Sequence, residues 1–259
     1  MKREDLLRIV DDLCPENVAS VIKSSIASCF DSHDILTDLS NEHGTDKSSH
    51  HKYTQHYNRL FSPIRFNKLR ILELGIGGYN HSSGGGSLRM WKRYFPNSLI
   101  YGIDIEDKRH CEEERVKVFV GSQDDEAFID RCLSVIGQPD IVIDDASHIN
   151  PKTIRTFHLL FPHLKVGGYY AIEDLQTSYW DEFWGVQWLG SRDTEAKHTA
   201  MAFLKSLVDG LNYEEFLDND YKPTYLDRHV FAIHFYHNLC ILEKKENMEG
   251  SIILPPKSF

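Results

Sequence analysis

A chain of 259 residues, 41% hydrophobic and 26% charged, carries enough apolar side chain for one sizeable core, or one core with a small appendage. Its 29 lysines and arginines against 39 aspartates and glutamates leave a net charge of −10. With no basic run beyond pairs such as Lys244-Lys245, that balance argues against nucleic acid as a partner and favours a cationic cofactor or a metal.

The start, "MKREDLLRIVDDL", puts Leu6, Leu7, Val10 and Leu13 on one helical face, and Pro15 ends that helix. It has no apolar h-region or cleavage site, so it does not read as a signal peptide, and no segment approaches the ~18 apolar residues of a membrane span. Five scattered cysteines (Cys14, Cys29, Cys111, Cys132, Cys240) without a CxxC pair argue for reduced thiols in a cytoplasmic protein and against structural zinc. Residues 1 to about 40 read as helical. The polar, histidine-rich stretch that follows leads into a helix around Tyr53–Phe61.

From Leu69 the pattern changes to short apolar runs separated by helices. "LRILELG" is a strand, then come the glycine-rich "IGGYNHSSGGGS" and the helical "SLRMWKRYF". "SLIYGIDIE" and "VKVFVGS" are the next two strands. "DDEAFIDRCLSVIG" is a helix with Phe128, Cys132 and Val135 inward and Gly137 at its end. "PDIVIDD" is the fourth strand, "PKTIRTFHLLFPHL" a helix with proline in its first turn, and "GGYYAIED" the fifth strand. After Trp180 the chain is irregular and aromatic, then helical over "TEAKHTAMAFLKSLVDGLNY". It closes with two apolar runs that pair antiparallel through a tight turn near His237-Asn238. The expected fold is α/β: a doubly wound, Rossmann-like sheet, mostly parallel, with a C-terminal antiparallel hairpin. Residues 1–65 form a helical segment or lid on a catalytic domain of residues 66–259. This arrangement resembles the class I methyltransferases that use S-adenosylmethionine.

Ligands of such sheets lie beyond the carboxyl ends of the strands, and that edge is where the polar residues gather. Gly75, Gly77 and Gly78 follow a strand and precede a helix without spelling GxGxxG. A looser turn of this kind suits S-adenosylmethionine better than a dinucleotide, with a merely flexible turn as the alternative. Glu73 either bonds cofactor or caps the loop. Asp104 is placed to accept both ribose hydroxyls, or else to cap a helix. Gln123 or Asp124 would meet the adenine amino group, unless Asp124 simply starts the next helix.

Strand four ends in "IDDASH" and strand five in "AIED", so Asp145, Glu173 and Asp174 would converge. Carboxylates ~4 Å apart repel by roughly 4 kcal/mol at an effective dielectric of ~20. Mg²⁺ or Mn²⁺ would relieve that repulsion; capping of loop amides is the alternative. Neighbours in a strand face opposite ways, so Glu173 and Asp174 can both ligate only if the strand has ended, and Asp144 points away. His148 then stands where a general base is needed.

Taken together, "GTDK", "LELGIGGYNHSSGGGSLRMWK", "YGIDIEDK", "IDDASHIN" and "YAIEDLQTSYW" resemble the metal-dependent O-methyltransferases of natural-product biosynthesis. Within that group it looks like the mycinamicin/macrocin-type enzymes, which methylate a sugar hydroxyl. The resemblance implies Mg²⁺ held by Asp145, Glu173 and Asp174, His148 as base, and cofactor contacts that include Thr45, Tyr79, Ser87 and Asp145. It implies in-line displacement on a small hydroxylated acceptor (a glycoside, polyketide or phenolic compound, with a vicinal diol well suited to chelation) and no nucleic acid or membrane. A homo-oligomer is compatible with it. Tyr179, Trp180, Phe183, Trp184 and Trp188, with part of residues 43–57, would wall the acceptor or pack in the core. Ala146 stands where that family often has glycine, and a short helical segment precedes "GTDK" where the macrolide enzymes carry a further N-terminal domain. A cephalosporin-hydroxylase-like oxygenase and a non-catalytic cofactor-binding protein are the competing readings. The first needs two histidines with a carboxylate, and only His148 is well placed.

Overall fold

Pro15 separates helix α1 (Arg3–Leu13) from α2 (Glu16–Phe30), as a ring that fixes φ and removes an N–H requires. The computed structural model describes residues 3–30, 34–78, 83–183, 185–218 and 220–255, without the side chains of 3–5 and 25–30. Helix α3 (Ile35–His43) begins where Asp34 accepts the Thr37 amide at 3.2 Å and stops at Gly44, whose φ of 66° favours a residue without Cβ. Then follow α4 (Thr54–Phe61), β1 (Arg70–Leu74), α5 (Gly86–Tyr94), β2 (Leu99–Asp104), β3 (Val116–Val120), α6 (Glu126–Ile136), β4 (Ile141–Asp144), α7 (Asn150–Leu160) and β5 (Tyr169–Ile172). The remaining elements are the short strands β6 (Glu182–Phe183) and β7 (Val186–Gln187), helices α8 (Ala200–Gly210) and α9 (Tyr225–His229), and strands β8 (Val230–Tyr236) and β9 (Leu239–Lys244).

Seven strands form a mostly parallel sheet in the order β3-β2-β1-β4-β5-β9-β8. Strand β4 runs parallel to β5, and β9 lies antiparallel between β5 and β8. The closing hairpin turns through His237-Asn238, with Tyr236 opposite Leu239 and Asn238 at φ 61°, the left-handed conformation such a turn needs. Every residue of β4 is buried, aspartate included, as expected of a strand covered on both faces. The strand order reverses direction between β1 and β4, the place where open α/β sheets leave a crevice.

The chain divides into two compact units. Unit 1 (residues 1–71, 76–102 and 106–120) centres on buried rings; Tyr57 meets Trp91 edge-on at 5.4 Å and Phe61 packs against both. Unit 2 (residues 72–75, 103–105 and 121–259) centres on Phe157, which stacks on Phe161 at 4.8 Å and meets Tyr170 at 5.0 Å. Two details differ from the sequence reading. Val135 is 51% exposed, because the buried face of α6 is centred on Cys132 and Ile136 and leaves Val135 at its edge. Helix α8 begins at Ala200, because Thr199 accepts the Ala202 amide and caps it there. Among the described residues no helix is long and apolar enough to cross a membrane.

Candidate functional site

Strand β4 runs out into a turn whose amides nearly all have partners. The Asp145 N–H donates to Leu74 O at 2.9 Å, the Ala146 N–H to the Asp144 carboxylate, and the Ser147 N–H to Gln123 Oε1 at 2.9 Å. The Ile149 N–H reaches Ser147 Oγ at 3.3 Å and the Asn150 N–H reaches Trp188 O at 3.0 Å. Gly75 serves this turn first: a Cβ there would lie 2.1 Å from Asp145 O and 2.6 Å from Ala146 Cα. Close approach of backbone to backbone, besides any ligand, therefore demands glycine at 75.

Strand β5 ends at Ile172, so Glu173 and Asp174 follow a strand that has stopped. The Glu173 N–H still donates to Asp144 O at 3.0 Å, and Asp174 turns into the left-handed region at φ 54°. His148 sits there too, at φ 53°. Residues other than glycine held in such conformations cost of order 1–3 kcal/mol each and gather at functional sites. Here they aim two side chains at one point. Ligand atoms of Asp145, His148 and Asp174 all lie within 4.8 Å of one another, with His148 Nε2 3.5 Å from Asp174 Oδ2 and 3.9 Å from Asp145 Oδ1. All three side chains keep partial access to solvent. Glu173 is buried and stands outside this group. The two carboxylates could hold a hard divalent cation through oxygen with positions left open, and the imidazole stands beside them with a nitrogen that can take a proton.

Asp144 faces away, as alternation requires. Burial pushes its carboxyl up to about 7, against the lowering effect of the Ala146 amide and Gln123, and its Oδ2 has no partner.

A cavity of about 190 Å³ adjoins this turn, lined among others by Gly75, Asp104, Ser122, Gln123, Ala146 and Lys152. Pockets that swallow a whole drug-sized ligand run to ~300–1,000 Å³, so this one fits part of a larger molecule. No helix begins at Asp104; the next turn is a 3₁₀ segment, Arg109–Cys111, with Lys108 before it. Asp124 does not start α6 either. Asp125 caps that helix at the Phe128 amide, while Asp124 takes the Ser122 hydroxyl and the Lys152 ammonium, and the Ser122 bond above all holds its carboxyl below the ordinary range. Glu73 is fully buried at the end of β1.

Unit 1 holds the other expected cofactor residues. Gly77 has φ 71° and open space where a Cβ would stand, so the backbone leaves room on that side. Ser87 is buried in the first turn of α5, Thr45 Oγ1 accepts the Lys47 amide at 3.3 Å, and Tyr79 falls outside the described residues. Of the aromatic segment, Trp180 lies 5.5 Å from Phe183 and 5.4 Å from Trp188, with Tyr179, Trp180 and Phe183 exposed; Trp184 falls outside the described residues.

Two residues escaped the sequence reading. Lys108 is 0% exposed and donates to the carbonyls of Gly78 at 2.8 Å and Ser83 at 2.9 Å, closing the glycine-rich loop at both ends. Asn150, also 0% exposed, donates to Thr177 O and Trp188 O and accepts from the Ser178 hydroxyl and the Ala200 amide. A buried lysine within "IEDK" and an asparagine before proline were the available signals, and neither points to a partner.

No protein-family model matches the chain. Among curated proteins it is 46% identical over 230 residues to demethylmacrocin O-methyltransferase of Streptomyces fradiae, covering 88% of this chain and 57% of the relative. It is 43% identical, with the same coverage, to mycinamicin VI 2''-O-methyltransferase of Micromonospora griseorubida. A Streptomyces olivaceus enzyme, 8-demethyl-8-alpha-L-rhamnosyl tetracenomycin-C 2'-O-methyltransferase, is 44% identical over 82% of this chain and 55% of its own length. Among solved structures, the MycE methyltransferase of the mycinamycin biosynthetic pathway, in complex with Mg and SAH, superposes with a TM-score of 0.80 at 43% identity. That match covers 86% of this chain and 58% of the MycE chain. The chain thus has the MycE methyltransferase fold over the matched part and spans a little over half the length of the curated relatives it matches.

Proposed function

We propose that this homologue of the macrolide and tetracenomycin O-methyltransferases is itself a metal-dependent enzyme that moves the methyl group of S-adenosylmethionine to a sugar hydroxyl of a glycosylated natural product. The observation that carries the reading is the meeting of Asp145, His148 and Asp174 at the carboxyl edge of the sheet, beside the cavity that Asp104 lines. Similarity to a methyltransferase solved with Mg and SAH supports both the metal and the cofactor.

The donor set fits Mg²⁺ or Mn²⁺: Asp145 and Asp174 would hold the cation through oxygen, with Glu173 near the same strand end. When bound, such a cation supplies Lewis acidity that makes a chelated hydroxyl easier to deprotonate. Asp145 and Asp174 would hold that ion with positions left open to the acceptor. His148 Nε2 takes the hydroxyl proton, and its left-handed backbone sets that nitrogen 3.5 Å from Asp174 and 3.9 Å from Asp145. Asp104 accepts the ribose hydroxyls, and Gly75 and Ser122 line the cavity beside it; Thr45, Glu73, Gly77, Tyr79, Ser87 and Asp124 are further cofactor contacts that the family resemblance implies. Exposed rings of Trp180 and Phe183 offer flat apolar faces to a sugar or its aglycone. Residues 66–259 make up the catalytic portion and 1–65 a helical cover. The four described cysteines are free thiols, which suits the cytoplasm, and a small-molecule acceptor is the partner, with self-assembly compatible.

The test is transfer of labelled methyl to a panel of glycosylated macrolide, tetracenomycin and phenolic acceptors, with Mg²⁺ and with EDTA. Metal-dependent labelling of a sugar hydroxyl is expected. Labelling that EDTA leaves intact, or that falls only on phenols, would defeat this reading.

A further inference from the structure

Gln123 lines the cofactor cavity, yet both of its side-chain N–H donors are already spent. It is 6% exposed. Its Nε2 donates one hydrogen to Asp144 Oδ1 at 3.2 Å and the other to Thr156 Oγ1 at 3.0 Å, and its Oε1 accepts the Ser147 amide at 2.9 Å. An amide has two N–H donors, and both are in use. The opposite orientation would set Oε1 against the Asp144 carboxylate and Nε2 against the Ser147 N–H, so the network fixes the orientation. Thr156 is anchored in turn: its hydroxyl donates to Lys152 O at 2.8 Å, one turn back in α7.

The Ser147 amide that Gln123 grips lies between Asp145 and His148, and Asp144, its second partner, accepts the neighbouring Ala146 amide. We infer that Gln123 is a positioning residue: its side chain ties the Asp145–His148 turn to β4 and α7, sets the reach of both groups toward Asp174, and has no N–H left to offer the cofactor. This rests on the methyltransferase reading for its consequence, although the hydrogen-bond arrangement stands without it. Residues that orient ligating carboxylates typically cost ~10–100-fold in metal affinity when lost.

The experiment compares the wild type with Gln123→Met, which keeps the volume and removes the polar atoms, and with Thr156→Val, which loosens the anchor outside the cavity. Three quantities are measured on each: exchange of the Ser147 amide by ¹⁵N NMR, Mn²⁺ affinity by calorimetry, and S-adenosylhomocysteine affinity. In Q123M, Ser147 exchange should quicken and Mn²⁺ affinity fall by about tenfold or more, with S-adenosylhomocysteine affinity held within about threefold. T156V should move the first two the same way by about threefold. Loss of S-adenosylhomocysteine affinity with Mn²⁺ binding intact would make Gln123 a cofactor contact and overturn the inference, as would unchanged Ser147 exchange or equal losses of both ligands. A wild type that binds neither ligand fails the methyltransferase reading instead, and Ser147 exchange still decides the role of Gln123.

Discussion

Two neighbouring segments of unit 2 are built in opposite ways. The turn from Asp145 to Asn150 is short and tightly bonded, with partners on Leu74, Asp144, Gln123 and Trp188, and it accommodates a left-handed histidine. The aromatic segment around β6 and β7 pairs two residues with two and leaves Tyr179, Trp180, Phe183, Val186 and Leu189 exposed. On the proposed function, the first holds the groups that move the proton and the second faces the acceptor. Asn150 joins them, because its backbone and side chain both bond Trp188 O.

Substitutions can break that division of labour. The largest effect should come from His148→Ala, which removes the proposed base: kcat should fall ~10²–10⁴-fold with S-adenosylhomocysteine affinity nearly unchanged, as read by steady-state kinetics and calorimetry. Asn150→Ala removes four side-chain hydrogen bonds and takes from the Ala200 amide its acceptor, so it should cost about 2–4 kcal/mol in urea unfolding, loosening both segments together.

Asp144, buried beneath the rigid turn, gives a pH signature. Its folded-state pKa of about 7 lies above its ordinary 3.8, so the folded protein binds the extra proton. That contribution is fully present below pH ~4 and is lost as pH rises through ~7, by up to roughly 4 kcal/mol. Unfolding curves in EDTA should show this decline, and Asp144→Asn should flatten it. The smallest effect belongs to the exposed segment. Phe183→Ala should leave stability within about 0.5 kcal/mol and raise the acceptor KM roughly 3–10-fold, with S-adenosylhomocysteine binding unmoved.

Much of the architecture was legible because its signals are local. Continuous apolar runs at β1, β4 and β9 mark strands buried on both faces, and His237-Asn238 between two such runs marks a hairpin. The clustering of polar residues at strand ends was legible from the same register. Which carboxylate of the 173–174 pair joins Asp145 was not, because it turns on one backbone dihedral, φ 54° at Asp174, that no residue pattern announces. Nor were the partners of Gln123, Lys108 and Asn150, whose bonds span 20 to 50 residues of sequence and depend on the finished packing. Val135 shows the limit of periodicity itself: the pattern finds a helical stripe but does not locate its edge.

The central claim is that Asp145 and Asp174 share a divalent cation within reach of His148. Anomalous diffraction from crystals soaked in Mn²⁺ with S-adenosylhomocysteine tests it directly. The account predicts a single strong peak between those two carboxylates, abolished in Asp145→Ala. A peak at another cluster, or none at saturating Mn²⁺, would contradict it.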